Sequence, residues 1–392
     1  MNSKVIKKLY TSYACIGNFN KTKQNKTKQK NKTKSKSHFC LEKKLTLFST
    51  VTIINLGFSN LNTFKERINW IDQARGFAIL MVVYSHNFPY LEKYIYTFHV
   101  PLFFFVAGFF HPKKNSLVNV KTRFKQLIIP YFIWAFLLYF TWVFVTRFYG
   151  DSANLSLSPL KNLIGVFYAQ GGREYMDWGI PLWFLPCIFL VFSMFFFIQK
   201  IGPKLLKTTI LFSLICIGFL ISHYFNFKYF WSFDVALVAL CFYGIGYFFK
   251  NKLLNLNKRE TFLLLFVALI FHLTLYFFNI KVDMYRSVYG NQFVFITSGI
   301  FGSLFWLMFF KSFPVFDFLS YLGKNTIILL CSHTRVLTFI KLIILIVGGS
   351  AVFNFNEFTK IGLTVLQIIL MIPIIHLVNK YLPLLNGKIK KD

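Results

Sequence analysis

The stretch RINWIDQARGFAILMVVYSHNFPYLEKYIYTFHVPLFFFVAGFF, residues 67–110, decides how this chain folds. It holds two apolar segments in succession, and the first contains Asp72, Arg75 and His86. Ionisable groups inside hydrocarbon are costly, so their presence in a membrane-length segment indicates function. Arg75 and His86 are 11 residues apart. That is about three helical turns, which places both side chains on one face, roughly 16 Å apart along the axis.

The composition is that of a polytopic membrane protein. Of the 392 residues, 56% are hydrophobic and 15% are charged, against about 45–50% apolar and about 25% charged in soluble domains. A membrane-spanning helix needs about 20 apolar residues. The sequence therefore predicts an all-α protein with about ten transmembrane helices. The candidate spans are 70–90, 97–110, 127–147, 180–199, 208–226, 229–249, 261–280, 291–310, 325–347 and 358–380.

The distribution of positive charge predicts the orientation in the membrane. With a cytoplasmic N-terminus, Lys and Arg are more frequent in the cytoplasmic loops than in the others, as the positive-inside rule requires. Ten spans then place both termini in the cytoplasm. The second candidate span, 97–110, is short, so either it is tilted or it is joined to residues 91–96. Arg335 and Lys341 fall inside the ninth candidate: either that helix breaks after His333, or the two cations face a polar interior.

The formal net charge of +31 comes without a recognisable nucleic-acid-binding module, so we exclude a nucleic-acid partner. Residues 1–44 alone hold 13 Lys and one Glu. We expect a basic low-complexity extension over 1–64, a transmembrane domain over 65–385 and a basic cytoplasmic tail over 386–392. Three interpretations of the extension stay open: a disordered segment, attraction to anionic lipid at the inner membrane surface, or translated upstream sequence. Residues 45–57 could form an interfacial helix.

The cysteines and the longest loop give further expectations. The six cysteines contain no CxxC pair, and four lie within apolar runs, where a buried thiol is expected to act as a small hydrophobe. We therefore expect neither a disulfide framework nor a metal site. The longest external loop, 148–179, is either a solvated connector or an ordered lid, since loops of this length are often functional.

His86 is the candidate catalytic residue. A neutral imidazole can take a proton from a hydroxyl group and so act as a general base; the alternative is a histidine that is hydrogen-bonded between helices for packing. Asp72 and Arg75 stand at i and i+3 and can pair. Helix-end electrostatics alone could explain this pair. In the functional interpretation, the Arg75 guanidinium binds a phosphate of a cytoplasmic ligand that extends toward His86.

Four further residues are candidates for substrate or donor binding. His99 opens the second span, and it either caps a helix at the interface or contacts substrate. Arg123 and Lys125 either set the topology or hold the phosphates of a nucleotide-bearing donor. Trp183 is either a substrate contact or a residue of the aromatic belt at the membrane interface.

Two motifs carry a resemblance to a known family. WIDQARGFAILMVVYSH, residues 70–86, followed by FHVPLFFFVAGFF, residues 98–110, resembles the acyltransferase 3 family of membrane acyltransferases. The similarity is greatest to its fucose 4-O-acetylase-like and exopolysaccharide O-acetyltransferase branch. The likeness extends over about residues 67–380. Its later landmarks are Ile129-Pro130-Tyr131, Leu182-Trp183-Phe184-Leu185-Pro186 and Leu322-Gly323-Lys324-Asn325-Thr326.

The resemblance implies a donor, an acceptor and roles for two residues. The donor would be acyl-CoA, usually acetyl-CoA, taken from the cytoplasm, and the acceptor a hydroxyl on a lipid-linked or surface carbohydrate. His86 would be the catalytic histidine and Arg75 its partner in the motif. Gln126-Leu127 stand where the family often has an arginine before the proline of the third helix. We therefore expect a multi-pass plasma-membrane O-acyltransferase in contact with membrane lipid, the alternatives being a polytopic glycan or lipid transporter and a non-enzymatic subunit of a polysaccharide-assembly complex.

Overall fold

The computed structural model describes residues 68–389 apart from 115, 149, 226, 314–315 and 349–354. The predicted basic extension and the possible interfacial helix over 45–57 lie outside the described residues. Within them the secondary structure is helical, and β structure is limited to one isolated bridge between Asp283 and Val288. The all-α prediction is therefore confirmed for this part of the chain. Its four cysteines are free thiols.

The described residues form successive α-helices joined by turns and loops. The α-helices of the described region are α1 (Asn69–Ser85), α2 (Glu92–Phe109), α3 (Leu117–Phe144), α4 (Pro159–Tyr168), α5 (Arg173–Met176), α6 (Phe184–Lys200), α7 (Lys204–Tyr224), α8 (Phe233–Asn255), α9 (Lys258–Phe277), α10 (Gln292–Ser312), α11 (Asp317–Lys324), α12 (Thr326–Gly348) and α13 (Glu357–Tyr381). Short 3₁₀ turns cover Thr146–Phe148, Gly150–Leu155, Ile180–Trp183, Phe230–Ser232, Met284–Arg286 and Pro383–Asn386.

Eight helices of the described region are long and apolar enough to cross a membrane. They are α3, α7, α9, α10, α12 and α13, together with α6 and α8, each extended by its preceding 3₁₀ turn. α1 and α2, with 17 and 18 residues, are not among them. The prediction of a multi-pass helical protein is confirmed in this form, and the count of ten spans stays a prediction.

Two helices begin earlier than the sequence predicts. α2 starts at Glu92, so the second candidate span is joined to the residues before it, one of the two alternatives above. α3 starts at Leu117, because the Ser116 side chain caps it by accepting a hydrogen bond from the next turn. Arg123 and Lys125 therefore lie on the early turns of a helix and not in a loop. An apolar count misses this start because the first turns of α3 are basic and polar.

α1 lies at the centre of the packing. Ile79 and Val83 are buried with side chains of α3 and α12. Ala74 and Ala78 are buried on another side with side chains of α2 and α10. Since α1 carries Asp72 and Arg75 and ends immediately before His86, its packing fixes the position of the candidate residues. We call the two ends of this helix, and of the fold around it, the Arg75 end and the His86 end.

A short helix that the sequence does not predict, α11, packs against the first half of α1. Gly76 and Gly323 permit the approach, because a Cβ on either glycine would overlap a carbonyl oxygen of the other helix, that of Leu319 or of Asp72. The two backbones therefore lie in direct contact. This contact holds the part of α1 that carries Arg75.

The ninth predicted span does not break after His333, because α12 is continuous. Arg335 instead faces polar groups of the 148–179 loop and the turn before it. Its Nε donates to the carbonyl oxygen of Trp178 at 3.0 Å and its Nη1 to Oγ1 of Thr146 at 3.1 Å. Its Nη2 contacts the carbonyl oxygen of Asp177. The polar-interior interpretation is therefore correct for this arginine.

The described residues of the 148–179 loop form an ordered segment, and Asn162 is its centre. The Asn162 Nδ2 donates to the carbonyl oxygen of Glu174 at 3.0 Å, and its Oδ1 accepts from the backbone N–H of Asp177 at 3.0 Å. Its own carbonyl accepts from Nε1 of Trp178 at 3.0 Å. Asn162 and Trp178 are fully buried. The solvated-connector interpretation is therefore wrong, since a solvated loop would not bury these groups.

Candidate active site

At the His86 end, two histidine rings from different helices face each other. His86 directly follows the last residue of α1, and His333 lies about two turns into α12. Their ring centroids are 4.8 Å apart, with the planes tilted by 48°. His333 is fully buried, whereas His86 is half-buried. Within the described part of the chain, no hydrogen bond engages the His86 ring.

The hydrogen bond of His333 defines its tautomer. Its Nδ1 lies 2.9 Å from the carbonyl oxygen of Leu329, one turn earlier in α12. A carbonyl oxygen can only accept, so Nδ1 carries the hydrogen, and in the neutral ring Nε2 holds the lone pair. That Nε2 is buried and has no hydrogen-bond partner among the described residues. Buried polar atoms are rarely left unpaired, so this nitrogen is an available acceptor beside His86.

Gln367 on α13 joins the two histidine-bearing segments. Its Oε1 accepts from Nδ2 of Asn87 at 2.9 Å, and its Nε2 donates to the carbonyl oxygen of His333 at 3.1 Å. Asn87 also donates to Oγ1 of Thr364 at 2.8 Å. Gln367 is fully buried. Because Asn87 directly follows His86, this amide fixes the separation between the backbones of the two histidines.

A third histidine, His99, lies in the same neighbourhood. It is inside α2, with Nδ1 2.7 Å from the carbonyl oxygen of Ile95 and its ring 5.0 Å from that of Tyr96. It is close enough to His86 for charges on the two rings to interact. The helix-cap interpretation of His99 is wrong, since α2 begins seven residues earlier, at Glu92. No group of three or more His, Cys, Asp or Glu side chains in the described ranges is placed to hold a metal ion.

A charged loop borders these histidines. In the loop between α9 and α10, the Lys281 Nζ lies 2.8 Å from a carboxylate oxygen of Glu92 and 5.3 Å from the ring centre of Tyr96. Burial in this loop raises the pKa of Asp283 above the usual value of a carboxyl group. Burial also lowers the pKa of the neighbouring Lys228 ammonium. A partly desolvated set of charges therefore lies beside Tyr96, next to the histidine of α2.

At the Arg75 end, Arg75 connects α1 to the start of α12. Its Nη1 lies 3.5 Å from Oδ1 of Asp72, so the pair that the i, i+3 spacing predicts is formed. Its Nη2 donates to Oγ1 of Thr326 at 3.0 Å. Thr326 is the first residue of α12, the helix that carries His333. Arg75 and His86 therefore meet the same neighbouring helix, as expected of side chains on one face.

The other candidates lie elsewhere. Arg123 donates from Nη1 to Oε1 of Gln126 at 3.1 Å, and its guanidinium lies 5.6 Å from the ring centre of Phe192 on α6. Lys125 is exposed. Trp183 is only 6% exposed and its ring stands at 88° to that of Phe184, so it packs inside the protein. The aromatic-belt interpretation of Trp183 is therefore wrong.

Both motifs, the histidines and Arg75 fall within one matched region. The acyltransferase domain of the acyltransferase 3 family matches residues 68–379. The chain belongs to this family. No curated protein and no solved structure matches the chain. Membership confirms the family expected from the two motifs and makes the protein a membrane acyltransferase.

Two residues of this acyltransferase were missed by reasoning from its sequence. His333 was not predicted as a site residue, because the charges of Arg335 and Lys341 are the stronger signal in its segment. Gln367 was not predicted either, because a single uncharged polar residue in an apolar span is a weak signal. The signal that could have found both is the general one that polar side chains within a span face partners inside the protein.

Proposed function

We propose that this protein is an integral membrane O-acyltransferase that transfers an acyl group, acetyl in the first place, from acyl-CoA to a hydroxyl of a cell-surface or lipid-linked carbohydrate. The observation that carries the proposal is the placement of His86: it ends the helix of the family motif and its ring has no hydrogen bond among the described residues. The exopolysaccharide O-acetyltransferase branch is the proposed relationship within the family.

The proposed topology gives the two ends different tasks. Ten spans in the plasma membrane, with α1 and α2 counted and both termini in the cytoplasm, turn the Arg75 end toward the cytoplasm. A phosphate of acyl-CoA binds the Arg75 guanidinium there, for which a planar fork of donors is suited. The pantetheine arm then runs along α1, which brings the thioester toward His86. The carbohydrate reaches His86 from the opposite side, past the charged loop beside Tyr96.

The proposed chemistry is a direct transfer. The lone pair of a His86 ring nitrogen takes the proton of the acceptor hydroxyl while the hydroxyl oxygen attacks the thioester carbonyl. The carbon–sulfur bond breaks, and the CoA thiolate takes the proton back from His86. General-base assistance of this kind contributes about 10²–10⁴-fold. Positioning of donor and acceptor in one site supplies the rest of the acceleration.

The test is a His86→Ala variant with His376→Ala as its control, since His376 is an exposed histidine on α13. Acetyl-CoA turnover is measured with purified protein, and O-acetylation of the surface glycan is measured by mass spectrometry in cells that carry each variant. We expect His86→Ala to lose both activities and His376→Ala to keep both. Full O-acetylation in the His86→Ala strain would show the proposal to be wrong. Glycan export without acetyl-CoA turnover would favour a transporter instead.

A further inference from the structure

The proposed reaction leaves His86 with a positive charge that needs a partner. Once it has taken the hydroxyl proton, the ring has two N–H groups, and only one of them faces the reacting oxygen. In other enzymes a buried carboxylate accepts the second N–H. No carboxylate acts on the His86 ring among the described residues. The titratable groups in electrostatic range are His99 on α2 and His333 on α12.

Carboxylates near this end are engaged in contacts of their own, such as the Glu92–Lys281 ion pair described above. On α13, Glu357 forms an ion pair with Lys360 at 2.7 Å. The same carboxylate accepts from the Tyr84 hydroxyl and from the backbone N–H of Tyr90, each at 3.3 Å. These contacts hold the Glu357 carboxylate in its own network. They leave the two neighbouring histidines as the candidate partners of His86.

His333 is the better placed of the two. The centroid of its ring lies 4.8 Å from that of the His86 ring. Its Nδ1–H donates to the carbonyl oxygen of Leu329, so its Nε2, which has no hydrogen-bond partner among the described residues, carries the lone pair. Hydrogen bonds between catalytic groups are often long before substrate binds and shorten in the complex. His86 stands at the end of its helix and is half-buried, and the proposed contact requires its ring to rotate toward that of His333.

We propose that His333 is a positioning residue of the active site, whose Nε2 accepts the second N–H of His86. This inference rests on the proposed function. The contact fixes the tautomer of His86, so that the lone pair of its other nitrogen faces the acceptor hydroxyl, and it stabilises the imidazolium that forms. No proton passes to His333: the hydroxyl proton enters and leaves at the first nitrogen of His86. Gln367 keeps the two rings near each other through its hydrogen bonds to the Asn87 side chain and to the His333 carbonyl oxygen.

The experiment compares three substitutions on α12 in the purified full chain. His333→Phe keeps a ring but removes the acceptor, His333→Gln restores an acceptor oxygen, and Ser332→Ala is the matched control, because the Ser332 hydroxyl only donates to its own helix at Ile328. Acetyl-CoA turnover is followed against pH for each. Loss of the hydrogen-bond partner that orients a metal-bound histidine typically costs about 10–100-fold in activity, and we expect a fall of similar size for the partner of a general base.

We expect His333→Phe to lower kcat by that factor while KM for acetyl-CoA stays within about twofold. The low-pH limb of its kcat profile moves to lower pH, because the protonated His86 ring has lost its acceptor. His333→Gln recovers part of kcat, and its low-pH limb lies between those of His333→Phe and the parent. Ser332→Ala matches the parent in both. An unchanged kcat and profile in His333→Phe overturns the inference. If His86→Ala is inactive at the same time, the proposed function still stands.

A second variant covers the case in which His333→Phe does not fold. Gln367→Met keeps the size of the side chain and removes both of its hydrogen bonds, without touching a histidine. We expect a smaller fall in kcat, a shift of the profile in the same direction and an unchanged KM for acetyl-CoA. If Gln367→Met had the same kcat and the same pH profile of kcat as the parent, that result alone would overturn the inference.

Discussion

The Nη2 of Arg75 donates a hydrogen bond to Oγ1 of Thr326 at 3.0 Å. This contact joins the arginine of the family motif to Thr326, the first residue of α12. The helix that carries His333 therefore begins beside the guanidinium that is proposed to bind the donor phosphate. Thr326 also closes the motif Leu322-Gly323-Lys324-Asn325-Thr326, one of the landmarks of the family resemblance. The landmark therefore has a physical reason: it ends α11, which packs on α1, and supplies the hydroxyl that orients Arg75.

Thr326→Val removes this hydroxyl and keeps the shape of the side chain. We expect KM for acetyl-CoA to rise about fivefold, since a hydrogen bond of this kind contributes about 1 kcal/mol, with a smaller change in kcat. Thr338→Val is the control on the same helix, because the Thr338 hydroxyl donates only to Thr334. Equal KM values for the two variants in a turnover assay would contradict a role of Thr326 in orienting Arg75.

Arg335→Gln separates α12 from the 148–179 loop. Its carbonyl and hydroxyl partners lose a charged donor, and unpaired buried polar groups cost about 1–3 kcal/mol each. We expect a lower midpoint of thermal unfolding in detergent and faster proteolysis within the loop. Arg147→Gln is the control, because the Arg147 guanidinium lies over Phe148, its neighbour in the chain. If Arg335→Gln were as resistant to protease as Arg147→Gln, Arg335 would not hold the loop against α12.

Gly76→Ala tests the contact between α1 and α11. The added methyl group would overlap the carbonyl oxygen of Leu319, and overpacking of this kind typically costs about 1–3 kcal/mol. We expect a lower unfolding midpoint together with reduced donor binding. Gly362→Ala, in α13, is the matched control, since a Cβ there meets nothing within 4 Å. It is expected to be neutral or stabilising, because alanine favours a helix over glycine by about 1 kcal/mol.

The topology is tested by labelling single cysteines, introduced as Phe88→Cys, Lys281→Cys and Lys258→Cys, with a membrane-impermeant maleimide on intact cells. We expect labelling at position 88, between α1 and α2, and at position 281, between α9 and α10. We expect no labelling at position 258 until the membrane is opened. Phe88 decides the number of spans, because it reaches the outside only if α1 and α2 both cross the membrane. Labelling at Lys258 but not at Lys281 would reverse the orientation.

The sequence predicted the helices of this protein better than the contacts between them. Long apolar runs, such as those that became α6 and α12, gave bounds within a few residues, because hydrocarbon length alone requires them. α11 was missed because eight residues are too few for such a count. The start of α3 was missed because it depends on a cap at Ser116 and not on hydropathy.

The candidate site divides in the same way. Arg75 and His86 could be related to each other because one helix joins them, and helical periodicity is a local property. The ring contact between His86 and His333 arises from the packing of α12 against α1, which no local pattern encodes. Gln367 is harder still to find, since its role depends on the positions of three helices at once.

Because α12 contacts both ends of the fold, we expect the two ends to be energetically coupled. Within ten residues the helix contacts Arg75 through Thr326, His86 through His333 and the 148–179 loop through Arg335. A ligand that orders one of these contacts changes the free energy of the others, and linkage makes that effect mutual. Acyl-CoA held at Arg75 should then protect the loop from protease. An antibody that clamps the loop should alter the affinity for acyl-CoA, and acyl-CoA should alter the affinity for that antibody by the same factor.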